Sequence, residues 1–445
     1  MMSIESTFQT VIERYYQPKG RIVLGLSGGL DSRAMLELMS SYCQERQIEC
    51  AAIHVHHGLS VNADLWAEQC RQWCKEAGVA LKVKKVALET TGKSLEESAR
   101  EARYGVLRQY LRAKDLLLTA QHGDDQIETF LLALKRGSGP KGLSAMGEAT
   151  PFGDATLVRP LLTVTRIQIE NYAASRQLTW VEDESNHNMR FDRNFLRHSI
   201  TPTLKTRWPH FSQAVHRSAE LCAEQETLLD ELLSERLQQS CHLDGSLHID
   251  SLSKMSALMR SRLIRMWLGL CKVRMPSRQQ LDILWQEVAL SRCDANPVFS
   301  LPNGQVRRFE QRFYWVEQWR DISQWTQSIA FDQPIDLPDH LGTLLLTESH
   351  HGRLSFKSLE SKPLMVIFEP QGLIARPSER AHSRKLKKLF QEYSVPSWLR
   401  RRLPILMCGE QLVAVADLFV EHQFSGQDCE LIWDKATSVV TKLPL

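Results

Sequence analysis

From residue 21 to about residue 136, short apolar runs alternate with longer stretches of helical period. Arg21-Ile-Val-Leu-Gly-Leu26 is apolar, and Asp31 to Arg46 has helical spacing. Ala51-Ala-Ile-His-Val55 precedes a helical Asn62 to Ala77; Ala80 to Leu88 alternates like a strand before a helical Leu95 to Arg112. Asp115-Leu-Leu-Leu-Thr119 then leads into a helix from Asp124 to Arg136. No other feature constrains the fold as much. Strand, helix and strand in succession call for right-handed crossovers, so the strands lie parallel with helices on both faces. The expected class is α/β, with a doubly wound, Rossmann-like parallel sheet. Ligands of such sheets sit beyond the carboxyl ends of the strands.

At 445 residues the chain is too long for one ordinary core. Phe211 to Gln239 is long, helical and rich in Glu, Leu and Ala, and the chain stays mostly helical to about residue 315. From Asp332 the pattern is strand-like with turns. Three domains are expected: 1–215 α/β, 216–320 helical, and 321–445 a smaller α+β unit. No apolar run approaches the roughly 18 residues of a membrane span; the longest, such as Pro363 to Phe368, read as core strands. The opening MMSIESTFQT lacks the basic-then-apolar order of a secretory signal. Ten cysteines without one C-x-x-C pair do not make a disulfide framework. Cys70 and Cys74 read as two thiols on a helix rather than metal ligands. A reducing cytoplasm with no membrane partner is the expectation.

Net charge is only +3, so composition does not announce a nucleic-acid binder. The distribution says more. Arg376, Arg380, Arg384, Lys385, Lys387, Lys388, Arg400, Arg401 and Arg402 are opposed within their own segment only by Glu379 and Glu392. A local basic patch binds phosphate even on a nearly neutral chain. Leu386, Leu389 and Phe390 read as the inward face of a helix in this segment.

Ser27-Gly-Gly-Leu-Asp-Ser32 lies between the first strand and its helix. Gly28 and Gly29 allow a tight turn and close backbone approach. The successive amides through Leu30 and Asp31, at a helix N-terminus, form an anion cradle, to which Ser27 and Ser32 add hydroxyls. A carboxylate at Asp31 beside phosphates calls for a divalent cation between them. Further on, Thr119-Ala-Gln-His-Gly-Asp-Asp-Gln-Ile-Glu-Thr129 places Asp124, Asp125 and Glu128 on one helix turn, where clustered carboxylates fit Mg2+. Ala87 to Ser94 nearly spells the other phosphate loop, but Ala87 replaces its first glycine, and it reads as a plain loop.

The hexapeptide resembles the pyrophosphate-binding loop of the PP-loop ATP pyrophosphatase superfamily, whose members cleave ATP between the α and β phosphates. The remaining motifs resemble the lysidine synthetases within it. His54-Val-His-His-Gly-Leu59 matches their H-V-x-H-G-L pattern at His54, His57 and Gly58, which implies nucleotide contact by His57. The helix bearing Arg100, Arg103 and Tyr104 matches E-x-x-A-R-x-x-R-Y. The acidic segment resembles A-H-H-x-D-D-Q-x-E-T followed by R-G-x-G, which takes in Arg136; Gln121 stands where the first histidine is usual, and His122 matches the second. Val158-Arg-Pro-Leu-Leu162, Asp183 to Asn186 and Arg193-Asn-Phe-Leu-Arg197 resemble the signature that separates this family from other PP-loop enzymes. The basic C-terminal segment matches its last domain.

The resemblance implies ATP and Mg2+ as cofactors, with isoleucine tRNA and L-lysine as partners and a homodimer left open. The implied reaction adenylates a tRNA base and replaces the adenylate with lysine. Asp31, with Asp125 or Glu128, would hold Mg2+; Glu128, Asp125 or His122 would serve as base. Contact with tRNA falls to Arg100, Arg103, Arg136, Arg159, Arg193, Asn194 and Arg197, and remotely to Lys387, Lys388, Arg400 and Arg401. Two rivals are a tRNA thiolase, which the missing cysteine pair opposes, and a non-catalytic RNA-binding scaffold, which the intact loop opposes.

Overall fold

The computed structural model describes residues 3–87, 95–292, 295–359 and 362–435. The near-miss phosphate loop lies, but for Ala87, outside the described residues. Two compact units result, Met1–Leu229 and Asp230–Leu445. Among the described residues no helix is long and apolar enough to cross a membrane.

The first unit opens with α1 (Ile4–Tyr15), then runs β1 (Ile22–Gly25), α2 (Leu30–Arg46), β2 (Cys50–His56), α3 (Ala63–Glu76), β3 (Ala80–Lys85), α4 (Leu95–Tyr110), β4 (Leu116–Leu118) and α5 (Gly123–Lys135). There follow α6 (Pro140–Leu143), the hairpin β5 (Ala149–Phe152) and β6 (Ala155–Val158), and α7 (Arg166–Ser175). The unit closes with α8 (Asp192–Phe195), a π turn over Leu196–Ile200, α9 (Thr201–Arg207) and the long α10 (Phe211–Ser240), within which the division between units falls.

The sheet order is β3-β2-β1-β4-β6-β5. All pairs are parallel except the β5–β6 hairpin. Period 2 splits β1 between two cores. Ile22 and Leu24 join one with Phe8, Met35, Trp73 and Ile169, from α1, α2, α3 and α7. Val23 joins Ile53, Val106, Leu107 and Leu117 on the face covered by α4. Both faces are dry, so β1 reads as continuous apolar sequence instead of alternating. Truncating Leu24, fully buried, would cost about 2–5 kcal/mol.

The chain moves outward from β1 to β3 under α2 and α3, crosses by α4 to the other face, and returns as β4 on the far side of β1. The strand order therefore reverses between β1 and β4. Their carboxyl ends open a crevice at that switch point, and it receives the glycine loop from β1 and the acidic helix from β4.

In the second unit helices Ile249–Ser253, Ala257–Leu270 and Arg278–Ile283, with a π turn over Leu284–Ala289, pack Trp267, Leu263, Leu284 and Trp285 into a core with Phe313. Apart from the short strand Leu247–His248, the stretch is helical to Ala289, as its sequence indicated. Beyond it come antiparallel strands Val298–Leu301, Gly304–Phe309 and Arg312–Glu317, earlier than the sequence indicated. Asn303-Gly304, with Asn303 at φ 70°, is the hairpin signal that reading passed over. Residues 326–420 contribute a five-stranded antiparallel sheet, including Leu364–Ile367 and Ile405–Cys408. Helix Leu386–Glu392 buries Leu386, Leu389 and Phe390 against it, as their spacing indicated.

Candidate functional site

Gly28 sits at φ +94°, and a Cβ there would lie 2.9 Å from Val181 Cγ2 and 3.2 Å from Cys70 Sγ. Only glycine meets both demands. The Gly28 amide donates to Ser32 Oγ at 3.0 Å, and that hydroxyl donates to the Gly29 carbonyl at 3.0 Å, with Ser27 Oγ also 3.0 Å away. Ser32 thus folds the loop onto the first turn of α2. The first intrahelical bond of that turn runs from Arg33 N to Gly29 O, so the amides of Leu30, Asp31 and Ser32 precede it and point out of the helix end. His54 Nδ1 braces the loop from β2 at 2.9 Å from the Leu26 carbonyl. Burial lowers the pKa of His54 against that bond, so it serves as a neutral strut.

The acidic side is built by α5. His122 is its N-cap: the Asp124 amide donates to Nδ1 at 3.2 Å, and the His122 amide donates to Asp125 Oδ2 at 3.0 Å. With Nδ1 accepting, the ring proton sits on Nε2, which faces Asp31 Oδ1 at 3.7 Å and Asp125 Oδ2 at 3.5 Å. His122 therefore brings the carboxylates of α2 and α5 to one point and presents a donor between them. Of the three expected candidates for base, it is the one whose ring geometry offers no lone pair to the crevice.

Asp125 and Glu128, three residues apart, share two arginines. Arg197 reaches Glu128 Oε1 at 2.7 Å and Asp125 Oδ1 at 2.9 Å; Arg193 reaches Glu128 Oε2 at 2.7 Å and Asp125 Oδ1 at 3.4 Å. Burial works to raise the Asp125 pKa, but His122 and the two guanidiniums outweigh it and hold it below the usual carboxylate value. Glu128 is 1% exposed with both oxygens spoken for. Arg193 and Arg197, expected to meet RNA phosphate, are thus placed against carboxylates. Asn194 gives its amide to the Ser185 and Asn188 carbonyls at 2.9 and 3.0 Å. Arg159 is buried, donating to the Gly147 carbonyl and Thr150 Oγ1.

Three of the arginines expected to meet RNA do face solvent: Arg100, stacked on Tyr104 at 4.9 Å, Arg103, and Arg136 at the end of α5. His57 follows β2, and among the described residues neither ring nitrogen has a hydrogen-bond partner although both are buried. Burial, then the nearby Arg103 charge, pushes its pKa down to about 4. Gln121 leaves its Oε1 buried and unpartnered in the same way. Cys70 and Cys74 are buried thiols, each pushed up to about 12 by that burial.

One residue of the crevice was not singled out from the sequence. Arg166, the first residue of α7, places Nη1 2.7 and 2.8 Å from the two oxygens of Asp31. The Thr165-Arg-Ile-Gln168 capping box fixes that helix start, and the Gly123 amide donates to the Val164 carbonyl at 2.8 Å, tying it to α5. A cation in the first turn of a helix faces the wrong end of its dipole, and that was the available signal.

In the C-terminal segment, Lys387 and Lys388 are exposed on helix Leu386–Glu392. Arg401 pairs with Glu369 at 3.1 Å, and Arg400 donates to the Val395 carbonyl at 3.0 Å. Arg380 and Arg384 share Glu392 at 2.6 and 2.5 Å. Arg402 is buried on Asp339 and the Trp319 ring.

Three family models match the chain: a PP-loop domain over residues 2–204, a TilS substrate binding domain over 247–314, and a TilS substrate C-terminal domain over 364–435. The tRNA(Ile)-lysidine synthase of Vibrio parahaemolyticus is 55% identical over 437 residues, covering 98% of this chain and 100% of the relative. That of Vibrio vulnificus is 55% identical over the same shares. That of Photobacterium profundum is 52% identical over 93% of this chain and 95% of the relative. With a PP-loop at the switch point of a doubly wound sheet and full-length relatives at this identity, the chain belongs to the tRNA(Ile)-lysidine synthase family.

Proposed function

We propose that the chain uses ATP to adenylate the wobble cytidine of an isoleucine tRNA with a CAU anticodon, and then joins lysine to that base. In the first step the cytidine C2 oxygen attacks the α-phosphorus and pyrophosphate leaves. In the second the ε-amine of lysine attacks C2, and AMP departs with the former C2 oxygen while the nitrogen gives up a proton. The observation that carries this reading is the meeting of the glycine loop with Asp31 and Asp125 between β1 and β4.

The amides of residues 29–32 and the Ser27 hydroxyl would hold the pyrophosphate, and His57, with two unsatisfied nitrogens, would meet the nucleotide. Asp31 and Asp125 converge on His122 Nε2 within 3.7 Å, which suits a cation that takes one or two carboxylates with phosphates and water. Mg2+ bound there would neutralise charge developing on the phosphates. Glu128, enclosed by Arg193 and Arg197, keeps those guanidiniums at the crevice wall, where phosphate can draw them over. Asp125 or Glu128 receives the lysine proton. Most of the rate comes from holding the base oxygen in line with phosphorus and from charge already in place.

The nucleotide chemistry is assigned to residues 1–215 and contact with the tRNA body to 321–445, with 216–320 between them. The exposed Arg100, Arg103 and Arg136 would take phosphates near the crevice. These assignments describe a cytoplasmic enzyme. Nucleoside analysis of isoleucine tRNA after incubation with ATP and lysine is the test. Lysidine at the wobble position is the expected result; an unmodified cytidine with active protein would overturn the reading.

A further inference from the structure

Arg166 breaks a local rule and is compensated by one distant partner. As the first residue of α7 it adds positive charge where the helix is already positive. Its compensation is Asp31, 135 residues away in sequence, at 2.7 and 2.8 Å. A second carboxylate, Glu170, lies one turn along α7 at 2.9 Å from Nε. The guanidinium therefore has two partners, one in the phosphate loop and one outside it. Asp31 is 26% exposed where Glu128 is 1% exposed, so the contact of Arg166 with Asp31 is more open to exchange than those that enclose Glu128. Asp31 with both oxygens on Arg166 cannot also give them to a cation.

We propose that Arg166 is a phosphate-positioning residue. It neutralises Asp31 in the nucleotide-free enzyme and transfers to the ATP phosphates when a divalent cation takes its place on that carboxylate. The inference rests on the reading of Asp31 as a metal ligand. It adds that metal and arginine compete for one carboxylate, and that nucleotide binding resolves the competition. Arginine suits the exchange because its planar fork matches carboxylate and phosphate alike. The anchor of α7 on α5 through Gly123 and Val164 keeps the base of the side chain fixed while its tip moves.

The competition gives one substitution two effects of opposite sign. In Arg166→Gln, Mn2+ alone should bind nucleotide-free protein about tenfold more tightly, since Asp31 is released. ATP in the presence of Mg2+ should bind about tenfold more weakly, since a phosphate partner is removed. Mn2+ affinity is read from the paramagnetic resonance of the free ion and ATP affinity by calorimetry without tRNA. Arg166→Lys should recover part of the ATP affinity. A merely structural role would weaken both affinities together or neither, and either pattern overturns the proposal. Asp31→Asn separates the two layers: it should lose Mn2+ binding. If it does while Arg166→Gln changes neither affinity, only the Arg166 inference fails; if Asp31→Asn binds Mn2+ like the parent, the reading of Asp31 fails as well.

Discussion

The crevice and the C-terminal basic segment are both arginine-rich in sequence, yet they use their charge differently. In the crevice Arg166, Arg193 and Arg197 each lie within 3 Å of a carboxylate oxygen. In the C-terminal segment Lys387 and Lys388 extend from an exposed helix face, while Arg380 and Arg384 are tied to Glu392, Arg401 to Glu369 and Arg402 to Asp339. The first arrangement presets each guanidinium on a carboxylate at the crevice, a placement that the proposed chemistry on phosphorus would draw on. The second leaves the lysines as solvated point charges, as backbone tracking along RNA needs. A positive count alone does not distinguish them; the partners that folding supplies do.

The sharpest break in the comparison should come from Asp31. In Asp31→Ala, pyrophosphate release should fall by about a hundredfold to a thousandfold, while tRNA affinity stays nearly unchanged because the basic surfaces are intact. Release at the parental rate would remove Asp31 from the chemistry and leave the crevice as a structural ion network. Next in size is Glu128→Ala. It leaves Arg193 and Arg197 to share Asp125 alone, and urea unfolding should show a loss of about 3 kcal/mol. Adding Arg193→Ala should return part of it, since the two residues are coupled. A neutral Glu128→Ala would mean the network is as loosely held as the C-terminal surface.

Lys387→Ala with Lys388→Ala should leave stability within about 0.5 kcal/mol and ATP affinity unchanged. The slope of log tRNA affinity against log salt should shrink by about 0.7 to 0.9 for each phosphate that the variant no longer neutralises. Arg401→Ala, with Glu369 left unpaired, should change that slope less. An unchanged slope in the double lysine variant would mean the patch faces something other than RNA. The smallest expected effect is that of His57. Its pKa of about 4 lies below the ordinary 6.5, so between those values the folded form binds fewer protons than the unfolded one. Its contribution is therefore present above 6.5 and lost as pH falls toward 4. His57→Gln should narrow the drop in urea midpoint between pH 7 and pH 5.

Much of the first unit was legible because its signals are local. Apolar runs of four to six residues between helical stretches fixed the class, and Ser27 to Ser32 could be placed at a strand's end before the strand order was known. Spacing alone put Asp125 and Glu128 on one turn. What could not be read depends on partners far apart in sequence. Glu128 meets Arg193 and Arg197 across 65 and 69 residues, and Arg166 meets Asp31 across 135. In the C-terminal segment Glu369 and Asp339, which lie upstream of it in the chain, take up Arg401 and Arg402. The hairpin turn at Glu310 and Gln311 was hidden for another reason: both residues adopt positive φ, 44° and 58°, with neither glycine nor asparagine to announce it. Arg166 was discoverable from its place at a helix N-terminus, had that position been weighed as a misplaced charge.

In the proposed reaction this crevice adenylates the RNA base before lysine takes part. The direct measurement is pyrophosphate release by the purified chain with ATP and unmodified isoleucine tRNA, with lysine present or omitted. Release should require tRNA and proceed without lysine. Rapid lysine-dependent exchange of pyrophosphate into ATP in the absence of RNA would contradict it, because the amino acid and not the base would then be the group adenylated.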